Sequence, residues 1–353
     1  MNNLDDLSFL TRHDPMDMAG LTLGFADQCA QAVEIARESD LPREVGDFDH
    51  VIVTGLGGSA AGGDLLSALY LDQGSVPLIV NRDYSVPSYV GEGSLVFVTS
   101  YSGNTEETIA AYLDAKERGA SIIAVSSGGK ITEMAKADGF PVVTVPGGQP
   151  PRTAMGYMLM PLVVASEQLG LIPEQDYAEV DSVLRSTAAE CGFGVMGDEN
   201  PAKQLASAMH GKFSTLYGAG SWQYAIAQRW RGQINENAKE MVLTHVFPEL
   251  CHNEILGWEG SGYQGIEKWV SVLLFGGDES ERIKKRIEIT CELIGDATEF
   301  HFVCASGQTR LAKMLSLAHF GDWLSLYLAA LAGRDPGQMK AIDDLKEALS
   351  RLD

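Results

Sequence analysis

Small hydroxyl side chains cluster where a predicted strand ends and a predicted helix begins. Ser100, Ser102 and Thr105 follow a short apolar run and precede a helical pattern over 106–119. Backbone N–H groups at a helix start, together with the helix dipole, favour anions, and hydroxyls beside them add donors. The loop contains no Lys or Arg, so the pattern predicts a site for a compact phosphate monoester. The alternative, a helix cap made by Asn104 or Thr105, is compatible with that site.

A glycine-rich turn at 55–64 lies earlier in the chain, also between a predicted strand and a predicted helix. Its Gly-x-Gly pattern is similar to a dinucleotide fingerprint, but no strand-ending acid stands about 20 positions beyond it. Asp83, the nearest acid, is displaced and follows Arg82. A P-loop is excluded because no Gly-Lys-Ser/Thr follows. The turn is better interpreted as one in which Gly58 and Ser59 approach a ligand through a backbone N–H and a hydroxyl.

Two polar clusters in the second half carry side chains suited to acid–base chemistry. The cluster at 233–239 ends an amphipathic helix and places Glu236 between two asparagines. The cluster at 248–254 contains His252. A lone glutamate at a helix end is ordinarily solvated, but flanking amides can orient a carboxylate. The nearby second cluster also favours a functional role for Glu236.

A metal site is not predicted from these residues. His245, Glu249 and His252 are potential ligands, but their spacing matches no common zinc helix and Pro248 interrupts the segment. Cys251 is interpreted as a small buried residue rather than a nucleophile.

The elements that must position these residues alternate between strand and helix. Apolar, β-branched runs predict buried strands at 51–54, 78–80, 94–99, 121–125 and 142–145. Intervening helical patterns indicate an α/β fold with a parallel sheet covered by helices on both faces.

The second half repeats this order in degraded form. Residues 214–221 again give strand, Gly-x-Gly and hydroxyl, and 269–275 again form an apolar run followed by a loop. That loop carries Asp278, Glu279 and Glu281 where the first half has hydroxyls. Carboxylates repel phosphate, so one phosphate site per chain is predicted.

Further elements flank the two repeats. Residues 172–200 are interpreted as the connection between the halves, and 298–304 as a later strand. Additional helices are predicted at 17–39, from 147–154 to Leu169, at 311–332 and at 339–352.

Composition limits the partners. The 353 residues carry 48 acidic and 26 basic side chains, a net charge of −22, which disfavours nucleic acid and anionic membranes. The five cysteines are widely spaced without Cys-x-x-Cys, as in a reduced compartment. No signal peptide is evident, and no run approaches the roughly 18 apolar residues of a membrane helix. We therefore expect a soluble cytoplasmic protein.

The motifs together resemble those of the bifunctional phosphoglucose/phosphomannose isomerases. They are Gly55-Leu-Gly-Gly-Ser59-Ala, Ser100-Tyr-Ser102-Gly-Asn-Thr105-Glu-Glu-Thr, Arg152-x-x-x-Gly156-Tyr, Asn235-Glu236-Asn-Ala-Lys and Pro248-Glu-Leu-Cys-His252-Asn-Glu. The serine-rich loop alone marks only a sugar isomerase (SIS) domain, whereas the clusters around Glu236 and His252 are more specific.

The resemblance implies two doubly wound parallel-sheet SIS domains, each a three-layer α/β/α sandwich, with extra N- and C-terminal helices. The expected divisions are an N-terminal helical segment at 1–48, a first SIS domain at 49–170, a connection at 171–200 and a second SIS domain at 201–353. The implied activity interconverts glucose 6-phosphate, and often mannose 6-phosphate, with fructose 6-phosphate. No cofactor is implied.

The resemblance also assigns roles. The phosphate would be held by Ser100, Ser102 and Thr105, with Gly58, Ser59 and Arg152 also in the binding set.

For the chemistry, Glu236 would move the proton between C2 and C1 and Arg152 would stabilise the cis-enediolate. His252, reaching the site from the partner subunit of a homodimer, and Lys346 would assist ring opening; Lys340 is an alternative to Lys346. A carboxylate base, a guanidinium and an imidazole suit these three tasks on chemical grounds.

Two alternatives remain at this point. One is an isomerase of another phosphosugar. The other is a non-catalytic phosphosugar sensor, although such sensors usually carry a basic DNA-binding module that this chain lacks. No motif assigns the discrimination between C2 epimers, so mannose 6-phosphate is expected from the resemblance alone.

Overall fold

The computed structural model describes residues 3–42, 47–264, 268–349 and 351. They form two compact units, each built from separate stretches of chain. Unit A contains residues 24–185 and 305–316, and unit B contains 1–23, 186–304 and 317–353. The domain boundaries expected from the sequence at 48, 170 and 200 stay a prediction. The two units are defined by packing in space, so they do not test divisions made along the chain.

Within the described residues, the helices of ordinary α geometry are α1 Leu7–Arg12, α2 Met18–Leu23, α3 Phe25–Glu38, α4 Gly57–Gln73, α5 Glu106–Glu117, α6 Gly129–Asp138, α7 Met155–Gln168, α8 Tyr177–Cys191, α9 Pro201–Met209, α10 Ser221–Gln233, α11 Glu254–Gly257, α12 Glu281–Ile294, α13 Arg310–Leu331 and α14 Lys340–Leu349. The strands are β1 His50–Thr54, β2 Leu78–Asn81, β3 Ser94–Thr99, β4 Ser121–Ser126, β5 Val142–Thr144, β6 Phe213–Gly218, β7 Val242–Val246, β8 Trp269–Phe275 and β9 Glu299–Cys304.

Unit A is organised around a parallel sheet with the strand order β2-β1-β3-β4-β5. Every residue of β3 is buried, as expected for a central strand covered on both faces. Thr54 of β1 pairs with Val98 of β3, so the two strands end side by side and the loops that follow them leave the same edge of the sheet.

Unit B repeats this topology with a parallel sheet of order β7-β6-β8-β9. Its order matches β2-β1-β3-β4 of unit A, which confirms the predicted repeat and the predicted fold class. β7 was not predicted from the sequence. It is a short edge strand, and only Val242 of its five residues is buried, so it lacks the continuous apolar run of a central strand.

Two helical predictions need correction. The single helix expected over 17–39 is two helices, α2 and α3, separated at Gly24. The segment interpreted as a polar connection at 172–200 contains α8, a helix of 15 residues. The sequence around 172–200 is polar because much of α8 faces solvent, and solvent exposure is compatible with a helix.

One helix in the described ranges, α13, is long and apolar enough to cross a membrane by length and composition alone. Within its apolar window, 94% is buried in the protein. A helix that is hydrophobic on all sides is usually buried in the core of a protein. The burial of α13 agrees with this.

Candidate active site

The hydroxyl-rich loop after β3 forms a closed turn. Ser100 is fully buried and its Oγ lies 2.9 Å from Thr105 Oγ1. Gly103 donates its N–H to the Ser100 carbonyl over 2.9 Å. Gly103 has φ +66°, and a Cβ there would lie 1.7 Å from the Gly128 carbonyl oxygen. The turn therefore requires glycine at 103, and it brings Ser100 and Thr105 together at the start of α5.

The helix cap considered from the sequence is not made by Thr105. Thr105 is the N-cap residue of α5, but its side chain accepts no first-turn N–H. Asn104 uses its amide within the loops, donating from Nδ2 to the Ser102 carbonyl over 3.1 Å and accepting from Lys130 N–H over 3.1 Å. Neither of these bonding patterns uses the first-turn N–H groups of α5, which are the donors that favour an anion at a helix start.

The loops after β1 and β3 meet at the reversal of strand order in unit A. In an open parallel sheet, ligands bind at the carboxyl ends of the strands where the order reverses, here between β1 and β3. The Tyr101 N–H donates to Ser59 Oγ over 3.0 Å, joining the two loops. The predicted residues Ser59, Ser100 and Thr105 are thus brought to one place. Ser102 lies in the same loop and is exposed.

Arg152 lies in a short turn of 3-10 geometry, Pro151–Thr153, immediately before α7. This turn packs against the start of α4. A Cβ at Gly58 would lie 2.7 Å from the Pro151 carbonyl oxygen and 3.2 Å from Arg152 N. Glycine at 58 therefore lets the turn pack directly on the start of α4. Arg152 is 3% exposed, so its guanidinium is held within the protein rather than on its surface.

Gln28 of α3 holds the arginine turn from the other side. Its Nε2 donates to the Thr153 carbonyl over 2.9 Å and to Gln149 Oε1 over 3.0 Å, and its Oε1 accepts from Gly156 N–H over 2.7 Å. Gln28 was not predicted from the sequence to have this role. Gln28 has no local motif, and the only signal was a polar residue on the apolar face of a helical pattern.

Tyr101 bonds to the segment that precedes the turn of Arg152. Its hydroxyl donates to the Pro146 carbonyl over 2.9 Å and accepts from Gln149 N–H over 3.3 Å. Burial raises the pKa of the Tyr101 phenol, so this hydroxyl stays neutral and serves as a structural donor.

Unit B carries the other predicted chemical residues on separate elements. Glu236 is half-buried in a single turn of π-helix, Ile234–Ala238, that continues α10. His252 is exposed at the end of a short 3-10 turn, Glu249–His252, after β7. Lys346 lies on α14 and is exposed. That these three residues act on one substrate stays a prediction.

The loop of unit B that corresponds to the hydroxyl-rich loop after β3 binds a carboxylate of the protein itself. Glu279 accepts from the backbone N–H groups of Gly276 and Gly277 and from Gln223 Nε2. The donors that could hold an anion after β8 are thus already used. This arrangement gives a physical reason for expecting a single phosphate site per chain.

Within the part of the chain that the structure describes, no group of three His, Cys, Asp or Glu side chains is arranged to hold a metal ion. His245 accepts the Val246 N–H at Nδ1 over 2.8 Å, so that ring nitrogen already has a backbone partner.

Comparisons with known proteins place both units among sugar isomerases. Residues 47–137 match the family model of the SIS domain, and residues 198–349 match that of the bacterial phospho-glucose isomerase C-terminal SIS domain. The bifunctional phosphoglucose/phosphomannose isomerase of Caldicellulosiruptor bescii is 42% identical over 329 residues, which cover 92% of this chain and 97% of that protein.

A second relative is named for a different reaction. The D-glucosamine-6-phosphate 4-epimerase of Sulfolobus acidocaldarius is 32% identical over 224 residues, covering 63% of this chain and 68% of that protein.

The fold is also similar to a solved structure, a glucose-6-phosphate isomerase like protein from Thermus thermophilus. The TM-score is 0.60 at 21% identity, covering 94% of this chain and 99% of that chain.

Proposed function

This chain belongs to the bifunctional phosphoglucose/phosphomannose isomerase family, and we propose that it interconverts glucose 6-phosphate and mannose 6-phosphate with fructose 6-phosphate. The observation that carries this conclusion is the 42% identity to a curated member over 92% of the chain. The hydroxyl-rich loop after β3 of unit A supports it independently, because its donors suit the phosphate that these sugars share.

The phosphate is assigned to the loop after β3. Ser100, Ser102 and Thr105 supply hydroxyls, and the first turn of α5 supplies backbone N–H groups. Gly58 and Ser59 are assigned to the sugar, and the hydrogen bond from the Tyr101 N–H to Ser59 Oγ supports this by holding them beside that loop. Binding through neutral donors suits a chain of net charge −22, whose overall field repels an anionic substrate.

The proton transfer is assigned to Glu236. Its carboxylate removes the C2 proton of the open aldose, the C2–H electron pair forms the C1–C2 double bond, and the carbonyl oxygen at C1 becomes an enediolate oxygen. The C2 hydroxyl then gives its proton to the C1 oxygen, and return of the abstracted proton from Glu236 to C1 gives the ketose. Arg152 provides the fixed positive charge for the enediolate, which exists only along the reaction path.

Ring opening precedes this step and is assigned to His252 and Lys346. The pyranose needs a proton at the ring oxygen, and imidazole is suited to donate it near neutral pH. Lys346 is preferred over Lys340 because Lys340 Nζ is already 2.8 Å from Asp344 Oδ2 in an ion pair.

The assembly and location are also proposals. We place the protein in the cytoplasm as a homodimer, with His252 contributed across the interface to the partner's site. The exposure of His252 supports this, since its side chain is available at the surface of unit B.

A second candidate is an enzyme of another phosphosugar, which the similarity to D-glucosamine-6-phosphate 4-epimerase favours over a non-catalytic sensor. A panel of aldose and amino-sugar 6-phosphates, assayed for ketose formation and for epimerisation with and without chelator, decides between them. We expect turnover of glucose 6-phosphate and mannose 6-phosphate. Turnover of glucosamine 6-phosphate alone would overturn the proposed function, and stabilisation by ligand without turnover would indicate a sensor.

A further inference from the structure

The turn that carries Glu236 departs from α-helical geometry. α10 ends at Gln233, and the next five residues, Ile234–Ala238, form one turn of π-helix closed by Lys239 at φ +59°. A π-turn contains one extra residue and is frequent at functional sites. The extra residue keeps Gln233 and Asn237 on one buried face and leaves Glu236 off that face, half-exposed.

The buried face of this turn is held by two polar residues of α13. Asn237 Nδ2 donates to Ser325 Oγ over 2.8 Å, and Ser325 in turn donates to the Asp322 carbonyl over 2.7 Å. Gln233 Nε2 donates to Asp322 Oδ1 over 2.6 Å. Asn237 and Ser325 are at most 1% exposed, and Gln233 and Asp322 at most 7%. These bonds lie away from water, where hydrogen bonds are strong and costly to lose.

Further contacts fix the same two helices against each other. The Arg229 guanidinium binds the Asp322 carboxylate at 3.0 and 3.2 Å through Nη2. Trp230 Nε1 donates to the Leu317 carbonyl over 2.7 Å, and a Cβ at Gly321 would come within 2.2 Å of the Trp230 ring. α10 and α13 therefore pack so closely that position 321 has no room for a Cβ. Buried polar bonds set the register between the two helices.

The far end of the turn is also anchored. Lys239 Nζ donates to the Glu236 carbonyl over 2.7 Å and to the Asp335 carbonyl over 2.8 Å. The π-turn is thus held on both sides of Glu236, which is itself only half-buried.

We propose that Ser325 and Asp322 are positioning residues for the isomerisation: by holding the π-turn, they set the place from which the Glu236 carboxylate takes the C2 proton. The proposal rests on the proposed function of Glu236 as the base. General-base catalysis needs the base within hydrogen-bond reach of the proton, and misplacement by about 1 Å can cost on the order of 100-fold in rate.

The test compares Ser325→Ala with Tyr327→Phe in the full-length protein. Tyr327 lies two residues further along α13 and is fully buried, and its hydroxyl donates to the Cys191 carbonyl over 2.6 Å and accepts from Asn200. Both variants lose a buried hydroxyl, but only Ser325→Ala removes a hydrogen bond to the π-turn. We expect kcat for fructose 6-phosphate to fall about tenfold or more in Ser325→Ala with KM within about twofold, and little change of kcat in Tyr327→Phe.

Two more variants separate the possible failures. Ser325→Thr keeps the hydroxyl and should recover most of kcat. In a Glu236→Gln background, Ser325→Ala should lower residual kcat by less than about twofold, because the base it positions is already gone. Equal kcat in Ser325→Ala and Tyr327→Phe, beside a strong loss in Glu236→Gln, would overturn the positioning role alone. Full activity in Glu236→Gln would overturn the base assignment itself.

If Ser325→Ala does not fold, Gln233→Met takes its place. The thioether removes the Nε2 donor to Asp322 Oδ1 and leaves the Arg229–Asp322 ion pair in place. A lower kcat at constant KM supports the proposal, and an unchanged kcat contradicts it.

Discussion

The backbone N–H of Tyr101 donates to the hydroxyl of Ser59 over 3.0 Å, joining the loop that follows β3 to the start of α4 in unit A. Both residues are about 5% exposed or less. This buried hydrogen bond, with a longer one from Thr99 Oγ1 to the Ser59 carbonyl, holds the loop that we propose for the phosphate against the start of α4, where Gly58 packs on the turn of Arg152.

Ser59→Ala removes the acceptor and leaves the Tyr101 N–H buried without this partner. We expect a loss of about 1–3 kcal/mol in the free energy of unfolding and a rise in KM for the phosphosugar at nearly constant kcat. Urea unfolding and steady-state kinetics measure both. Ser67→Ala on the same helix is the control, because Ser67 Oγ makes only a long bond of 3.4 Å to the Leu78 carbonyl. An unchanged KM in Ser59→Ala would contradict the role given to this hydrogen bond.

Gly103→Ala tests the shape of the phosphate loop. Gly103 and Gly139 are both left-handed, at φ +66° and +80°, but only at 103 would a Cβ collide with backbone, at 1.7 Å from the Gly128 oxygen. Gly139→Ala should cost about 1–2 kcal/mol for the left-handed conformation alone. Gly103→Ala should cost more and also weaken substrate binding, as measured by thermal unfolding with and without fructose 6-phosphate. Equal costs with intact binding would show that the loop tolerates a shift at Gly128.

The parts of the molecule that could be predicted are those encoded in consecutive residues. β3 and β8 were predicted with their observed ends, since each consists mostly of apolar residues. β7 was missed because an edge strand needs no such run. A helix prediction was likewise carried through Gly24, where the chain ends one helix and begins another.

The candidate site divides in the same way. The hydroxyl-rich loop after β3 is a local motif, so its hydroxyls and its position between strand and helix were predictable. The side chains that hold the turns of Arg152 and Glu236 were not. Gln28 bonds Thr153 from 125 residues away, and Asn237 bonds Ser325 from 88 residues away. Such partners are chosen by packing in three dimensions, and no spacing in a single sequence identifies them.

Glu179 gives the stability of unit A a predictable pH dependence. The Thr309 side chain, followed by the backbone N–H groups of Gln308 and Thr309, bonds the carboxylate and lowers its pKa below the ordinary 4.5. Because the folded pKa is lower, this stabilisation is present above the ordinary pKa and is lost as the pH falls through the folded value. Glu179→Gln should therefore flatten the decrease of stability between about pH 5 and pH 3. Urea midpoints across this range measure it, with exposed Glu174→Gln as the control; equal slopes in the two variants would argue against the Glu179 bond.

Arg152→Lys asks whether the buried guanidinium serves the enediolate or the phosphate. Lysine keeps the charge but loses the planar fork of the guanidinium. If Arg152 stabilises the enediolate, the substitution should lower kcat by about 100-fold with little change in KM. If Arg152 holds the phosphate, the substitution should raise KM instead. Arg82→Lys is a matched control, because Arg82 pairs with Asp64 in the same unit at a more exposed position. Its kinetics should stay those of the unchanged protein. Gln28→Leu removes the hydrogen bonds of Gln28 to the turn and leaves the charge of Arg152 unchanged. It should change the same kinetic constant, kcat or KM, as Arg152→Lys. If it moves the other one, the turn and the guanidinium serve different parts of the substrate.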